Sequence, residues 1–213
     1  MPAEIVQTRL TMRLIFATNN AHKITEMQSA IGDAFELITL KQAGIDIDIP
    51  EPHDTLEANA LEKARTIYNI TRKNTFSEDT GLEVEALNGE PGVKSARYAG
   101  EGKVFSDNIK KLLNRLQGHS NTKARFRAVL ALIWDEKEFL FEGICEGEII
   151  PFPRGNEGFG YDPVFVPAGS GKTFAEMDMD EKNRYSHRTR AAAKLVDFLN
   201  QHINHQSQTS ATT

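Results

Sequence analysis

Hydrophobic and polar positions along this chain follow two rhythms, one of period two and one of period three to four, and they trade places without an intervening linker. Arg13-Leu14-Ile15-Phe16-Ala17 is a short apolar run of strand formers that stops at the polar group Thr18-Asn19-Asn20. Helical spacing then runs from about His22 to Ile31 and halts at Gly32, after which Phe35 to Leu40 predicts a second strand. A proline-punctuated acidic loop, Lys41 to His53, leads to a helix start of capping-box type, Asp54 with Glu57 three residues on. In that helix Leu56, Ala60, Leu61, Ala64, Ile67 and Tyr68 fall on one face, which leaves Asn59 and Lys63 as neighbours on another.

Thr75 to Glu78 predicts a strand end, with Glu78-Asp79-Thr80-Gly81 at its tip before a glycine turn. Leu82, Val84 and Ala86 then alternate with Glu83 and Glu85 up to Asn88-Gly89, a hairpin signal. Phe105, Ile109, Leu112, Leu113 and Leu116 make a helical stripe, followed by strands near Ala124 to Trp134, Glu138 to Phe141 and Ile144 to Ile150. Their short connections favour antiparallel neighbours. A glycine-rich loop from Gly155 to Gly160 precedes a strand from Tyr161 to Val166. A last helix begins at Ser186 with Ala192, Leu195, Val196 and Leu199 inward. Strands and helices mixed along one chain predict a single α/β domain with a central mixed sheet and helices on its faces, here placed at residues 12–203. The leader Met1 to Thr11 and the polar segment 204–213 are expected to be disordered extensions.

Composition narrows the chemistry. With 213 residues the chain can bury an ordinary core without a metal or disulfide staple, and the single cysteine, Cys145, excludes an internal disulfide framework. That cysteine usage fits a reducing cytoplasm, and no apolar stretch is long enough for a membrane span. The net charge of −5 and the lack of interleaved basic and aromatic residues argue against a nucleic-acid partner. The six histidines show no zinc spacing. Arg125 and Arg127 share one strand face, read as solvated. Gly169-Ser170-Gly171-Lys172-Thr173 imitates the end of a phosphate-binding loop, but position 166, where the earlier glycine belongs, is valine; Lys172 is read as a surface lysine.

Three segments admit both a structural and a chemical reading. Thr18 to Lys23 is either a capped helix with a solvated lysine or an anion site, since a helix N-terminus offers free N–H groups and Lys23 adds a charge one turn in. Glu78-Asp79-Thr80-Gly81 is either an acidic turn or a magnesium site, because Mg²⁺ needs only one or two protein carboxylates and Asp79 with Glu51 or Glu78 suffices. Gly155 to Asp162 is either a turn whose aromatics enter the core or a cradle for a flat ligand, and Lys182 and Ser186-His187-Arg188 carry the same ambiguity.

Taken in order, Thr18-Asn19-Asn20-Ala21-His22-Lys23, Asn59 to Arg65, Ser77 to Leu82, Pro91-Gly92-Val93-Lys94-Ser95-Ala96-Arg97-Tyr98, Phe159-Gly160-Tyr161-Asp162-Pro163 and Ser186-His187-Arg188 form one signature. It resembles the inosine triphosphate pyrophosphatase family, from about Met12 to Gln201. The resemblance implies a long mixed sheet, two lobes around a substrate cleft, a homodimer and Mg²⁺-dependent splitting of ITP, dITP and XTP into monophosphate and pyrophosphate. It places Thr18, Asn20, Lys23 and Lys63 on the triphosphate, with Asn19, Ala21 and His22 in the same substrate-binding loop, and makes Asp79 the acid-base residue and, with Glu51, the metal ligand. Thr80 would contact substrate, and Phe159, Gly160, Tyr161, Asp162, Lys182, His187 and Arg188 would hold the base. Three features depart from the family pattern: Asn19 stands where glycine is frequent, Glu78-Asp79 where two aspartates are common, and Pro50 and Pro52 flank Glu51. A pyrophosphatase for modified or pyrimidine nucleotides and a nucleotide-binding regulator without turnover are the alternatives.

Overall fold

The computed structural model describes residues 12–209. One seven-stranded sheet organises them, in the order β2-β1-β3-β5-β6-β7 with the short β4 paired to β3. The strands are β1 (Arg13–Phe16), β2 (Glu36–Thr39), β3 (Thr75–Val84), β4 (Pro91–Gly92), β5 (Lys123–Trp134), β6 (Lys137–Ile149) and β7 (Phe165–Pro167). β1 lies parallel to β2 and β3, and every other pairing is antiparallel, so the sheet is mixed as expected. The helices are α1 (Ala21–Ile31), α2 (Leu56–Thr71), α3 (Phe105–Leu116), α4 (Met179–Tyr185) and α5 (His187–Thr209). None of the described helices is long and apolar enough to cross a membrane.

Local chemistry explains the element ends. Asn20 caps α1 by accepting the Lys23 N–H at 3.1 Å, and Gly32 closes it at φ 53°, a conformation that costs glycine little. Thr55, not Asp54, caps α2 by accepting the Ala58 N–H at 3.2 Å. The alternation along β3 continues straight through Glu78 to Gly81: the expected turn is the middle of a ten-residue strand. Gly81 serves close packing there, because a Cβ would collide with the backbone of Gly92. The two strands expected at Glu138 to Phe141 and Ile144 to Ile150 are one strand, β6, and Asn88-Gly89 turns into the very short β4. Tyr161 to Val166 is largely a 3₁₀ turn before β7, and α4 had no predicted counterpart. The tail expected from 204 is helical as far as Thr209; its remainder and the 1–11 extension lie outside the described residues.

Apolar stripes cover both sheet faces. α1 and α5 bury Met27, Ile31, Ala192, Leu195 and Leu199 against Leu14, Phe76, Leu130 and Leu132. α2 buries Leu56, Ala60 and Ala64 against Val129, Ala131 and Ile133 on the other side. The far end of β3 and β5 bends into a second core, where Leu82, Val84 and Phe126 meet Ile109 and Leu112 of α3 and Phe165, Phe174 and Met177. The cleft opens between these two cores.

Candidate active site

Successive side chains of a strand point to opposite faces, so β3 delivers neighbouring carboxylates to different environments. Asp79 turns toward α2, where the Lys63 ammonium donates to Asp79 Oδ1 at 2.7 Å and to Glu51 Oε1 at 2.7 Å. The loop carrying Glu51 is held by Asn59, one turn before Lys63, whose amide accepts the His53 N–H at 2.9 Å and donates to the His53 carbonyl at 3.0 Å. This is the chemistry behind the Asn59/Lys63 pairing, and both residues are buried. Burial raises the pKa of Asp79 against the pull of Lys63, so it is a stronger base than a surface aspartate. Burial acts the same way on Glu51, but Lys63 outweighs it and lowers that carboxyl to about 2. For Lys63, burial disfavours the charge and the two carboxylates more than restore it, leaving its pKa raised.

Glu78 faces the other way. Arg188 donates a fork to it, Nε at 2.9 Å and Nη2 at 2.7 Å, and the Thr80 hydroxyl also donates to it. Lys23 lies 3.8 Å from the same carboxylate and donates to the Glu78 carbonyl at 3.4 Å. Arg188 pairs as well with Glu26, whose other oxygen takes Lys182 at 2.6 Å, and Lys182 donates to Asp162 at 2.6 Å. Asp162 in turn accepts the Phe159 N–H at 2.9 Å, fixing the glycine-rich loop. Glu78 is therefore a structural anion serving Arg188, and not a second carboxylate beside Asp79. Removing one partner of such a buried network costs about 3–5 kcal/mol, because it strands the other charge.

The remaining candidates spread along the cavity. Thr18 accepts the Asn20 N–H at 3.2 Å, and Asn19 donates to the Ile47 carbonyl, tying the acidic loop to the end of β1. Thr18, Asn19, Asn20, Lys23, Glu51, Lys63, Asp79 and Thr80 line a cavity of about 240 Å³ together with Phe159 to Asp162, Lys182, His187 and Arg188. Ala21 and His22 lie outside the cavity wall; the His22 ring stacks on Phe159 with centroids 4.9 Å apart. Tyr161 is mostly core, its hydroxyl donating to the Ser95 carbonyl at 2.9 Å. Lys172 is exposed and paired with Glu181. Arg127 is half-buried among Glu57, Glu83 and Glu142, so only Arg125 fits the expected solvated face.

His187 stands apart. Its ring is 3% exposed and stacked on Phe126 at 4.8 Å, yet neither ring nitrogen has a hydrogen-bond partner. Burial, then the Arg188 charge, holds its pKa well below the usual 6.5, so the ring is neutral, with one N–H to give and one lone pair to fill. Buried polar atoms are normally satisfied, and an orphaned pair lining a cavity points to a ligand. The Ser186-His187-Arg188 motif marks His187 in the sequence, whereas no motif marks Glu26. Its signal was a carboxylate one residue before Met27 on the apolar face of α1, buried at 5% exposure.

The donor set also fits a hard cation. Asp79 and Glu51 converge on one point, now held by the Lys63 ammonium, and two carboxylates suffice for Mg²⁺ when substrate phosphates complete its shell. The described residues hold no cluster of three or more His, Cys, Asp or Glu side chains that could cage a metal unaided.

A mixed α/β sheet whose cleft joins a helix N-terminus, two lysines and a carboxylate pair to an aromatic ring and an orphaned imidazole is that of a nucleoside polyphosphate-handling protein. Residues 14–198 match the Ham1 family, and the chain belongs to it. It is 49% identical over 188 residues to the dITP/XTP pyrophosphatase of Porphyromonas gingivalis, covering 88% of this chain and 97% of that one. The Flavobacterium johnsoniae dITP/XTP pyrophosphatase is 45% identical over 188 residues, 88% of this chain and 98% of its own. Among solved structures, the Staphylococcus aureus Ham1 protein superimposes with a TM-score of 0.81 at 37% identity, covering 89% of this chain and 99% of its own. A Coxiella burnetii HAM1 protein gives 0.82 at 36% identity, covering 90% and 100%.

Proposed function

We infer that the chain hydrolyses non-standard purine nucleoside triphosphates, ITP, dITP and XTP, to the monophosphate and pyrophosphate. The observation that carries this reading is the Lys63 ammonium bridging Asp79 and Glu51 beside Lys23 and the α1 N-terminus, because it combines a base, two cations and a metal-competent carboxylate pair in one cleft. The relatives named for dITP and XTP support the substrate class.

Water attacks the α-phosphorus as the bond to the bridging oxygen breaks; Asp79 accepts the proton of that water, and pyrophosphate leaves. Burial favours this role by raising the Asp79 pKa toward the range of a working base. Lys23 and Lys63 oppose the charge that builds on the leaving group, in a site already organised for it. Magnesium held by Asp79 and Glu51 would supply charge neutralisation at the phosphates. The His187 ring presents an N–H that a 6-oxo purine accepts, and the Lys182 and Arg188 cations that line the same cavity can only donate, so a 6-amino group finds no acceptor on them.

A product assay with Mg²⁺ on ITP, dITP, XTP, ATP, GTP and dTTP tests the reading. Pyrophosphate is expected from the inosine and xanthosine substrates, and Asp79→Asn is expected to lower kcat by about 10²- to 10⁴-fold without unfolding the protein. Orthophosphate as the product, or equal use of ATP, would overturn the function, and near-normal turnover in Asp79→Asn would remove that residue from its role. The reading includes a homodimer, for which sedimentation at twice the mass of the chain is the expected result and at the mass of one chain the contrary one.

A further inference from the structure

The segment Pro91 to Tyr98 belongs to the sequence signature, yet none of the roles above uses it. Its backbone is built with unusual care. Ser95, 8% exposed, accepts the Leu82 N–H at 2.8 Å and donates to the Gly92 carbonyl at 2.5 Å, while its own carbonyl takes the Tyr161 hydroxyl. Asn108 of α3, 2% exposed, accepts the Ala99 N–H at 2.7 Å and donates to the Ala96 carbonyl at 3.0 Å. Asn108 of α3, with the hydrogen bonds of Ser95 to β3 and to Tyr161, thus fixes the 3₁₀ turn Ser95–Arg97 on both sides of one residue, Arg97.

Arg97 lines the cleft with about a third of its side chain exposed. Its Nη1 lies 3.3 Å from Glu51 Oε2 and its Nε 3.3 Å from Glu101, both long beside the 2.7 Å bond that Lys63 makes to Glu51. A guanidinium carries five N–H donors in a planar fork suited to phosphate, and these two loose contacts leave most of them free. Lys182 and Arg188 are held by Glu26, Glu78 and Asp162, Glu78 also faces Lys23 at 3.8 Å, and Lys63 is held by Asp79 and Glu51, whereas Arg97 has only its two contacts of 3.3 Å.

We propose that Arg97, carried by the turn between β4 and α3 while the two lysines come from α1 and α2, is a third triphosphate-binding cation of this site, and that it exchanges Glu51 for a phosphate oxygen when substrate binds. The proposal rests on the pyrophosphatase reading for its substrate but not on the identity of the base. A base-free probe therefore separates the two. With Mg²⁺ present, Arg97→Ala is expected to weaken binding of inorganic tripolyphosphate by about 10- to 100-fold, the range for a lost hydrogen bond to a charged group, and Arg97→Lys to recover part of the loss. Inosine monophosphate, which lacks the outer phosphates, should bind within about twofold of the parent. Mn²⁺ titrated without nucleotide should bind the variant as well or better, because Arg97 competes for Glu51. Equal losses for tripolyphosphate and monophosphate, unchanged tripolyphosphate affinity, or a loss of Mn²⁺ affinity that accounts for the weakened tripolyphosphate binding would each overturn the proposal, the last by making Arg97 a support for Glu51 alone. Failure of the parent protein to prefer inosine over adenosine nucleotides would sink the purine reading and leave the tripolyphosphate result intact.

Discussion

Replacing His187 with phenylalanine should stabilise the empty protein and impair base binding, and the two effects have one cause. The ring sits 3% exposed against Phe126 with both nitrogens unpartnered. A buried unsatisfied polar atom costs about 1–3 kcal/mol, and the extra bulk of phenylalanine takes back part of that gain, so about 1 kcal/mol of added stability is expected near neutral pH. In a domain of this size that is a melting increase of about 2–4 °C. The pH dependence is sharper. Because burial holds the folded pKa of His187 well below the unfolded 6.5, its contribution to stability is fully present above 6.5 and is lost as pH falls toward the folded pKa. Between about pH 7.5 and pH 5.5 one such group removes about 1.4 kcal/mol, which the variant should not lose. Urea unfolding of both proteins at the two pH values measures the difference, with calorimetric titration of inosine monophosphate alongside. Parallel pH dependence would show that His187 is protonated or partnered in the fold, and unchanged monophosphate affinity would show that it does not meet the base.

Two further outcomes follow from the same geometry. Gly143 of β6 lies where any Cβ would collide with the His187 carbonyl and the Ala191 N–H at the start of α5, so Gly143→Ala should displace that helix turn, lowering both melting temperature and affinity for inosine monophosphate; loss of neither in melting and binding assays would contradict the packing. The carboxyl of Glu51 is lowered to about 2 by Lys63, so its stabilising contribution is complete above the usual 4.5 and is lost as pH falls toward 2; in acid melting curves Glu51→Gln should be less pH-sensitive across that window, and identical curves would count against the pairing.

The parts of the structure legible in the sequence are those fixed by neighbours in the chain. Asn20 and Gly32 bracket α1, and spacing alone turns Leu56, Ala60, Ala64 and Ile67 of α2 and Ile109, Leu112 and Leu116 of α3 inward, but α2 buries Asn59 and Lys63 as well, with Leu61 and Tyr68 only partly covered, and Phe105 of α3 stays exposed. Glu78 to Gly81 carry the polar residues and glycine of a turn, but pairing with β5 makes a strand of them, and Lys63, Arg188 and Gly92, all distant in sequence, receive their side chains and close backbone. Gly143, in the gap between the two strands expected where β6 runs unbroken, is required by α5, 44 residues away. The site residues were legible as motifs, while their pairings were not. Lys182 and Arg188 read as free donors and are held by Glu26, which no local pattern ties to them.

The central claim is hydrolysis at the α-phosphorus of a 6-oxo purine triphosphate, and turnover of an equimolar ITP and ATP mixture in ¹⁸O-water, read by mass spectrometry, tests it most directly. One labelled oxygen in inosine monophosphate, unlabelled pyrophosphate and unconsumed ATP are the predicted result. Label in pyrophosphate or orthophosphate, or consumption of ATP at the rate of ITP, would contradict it.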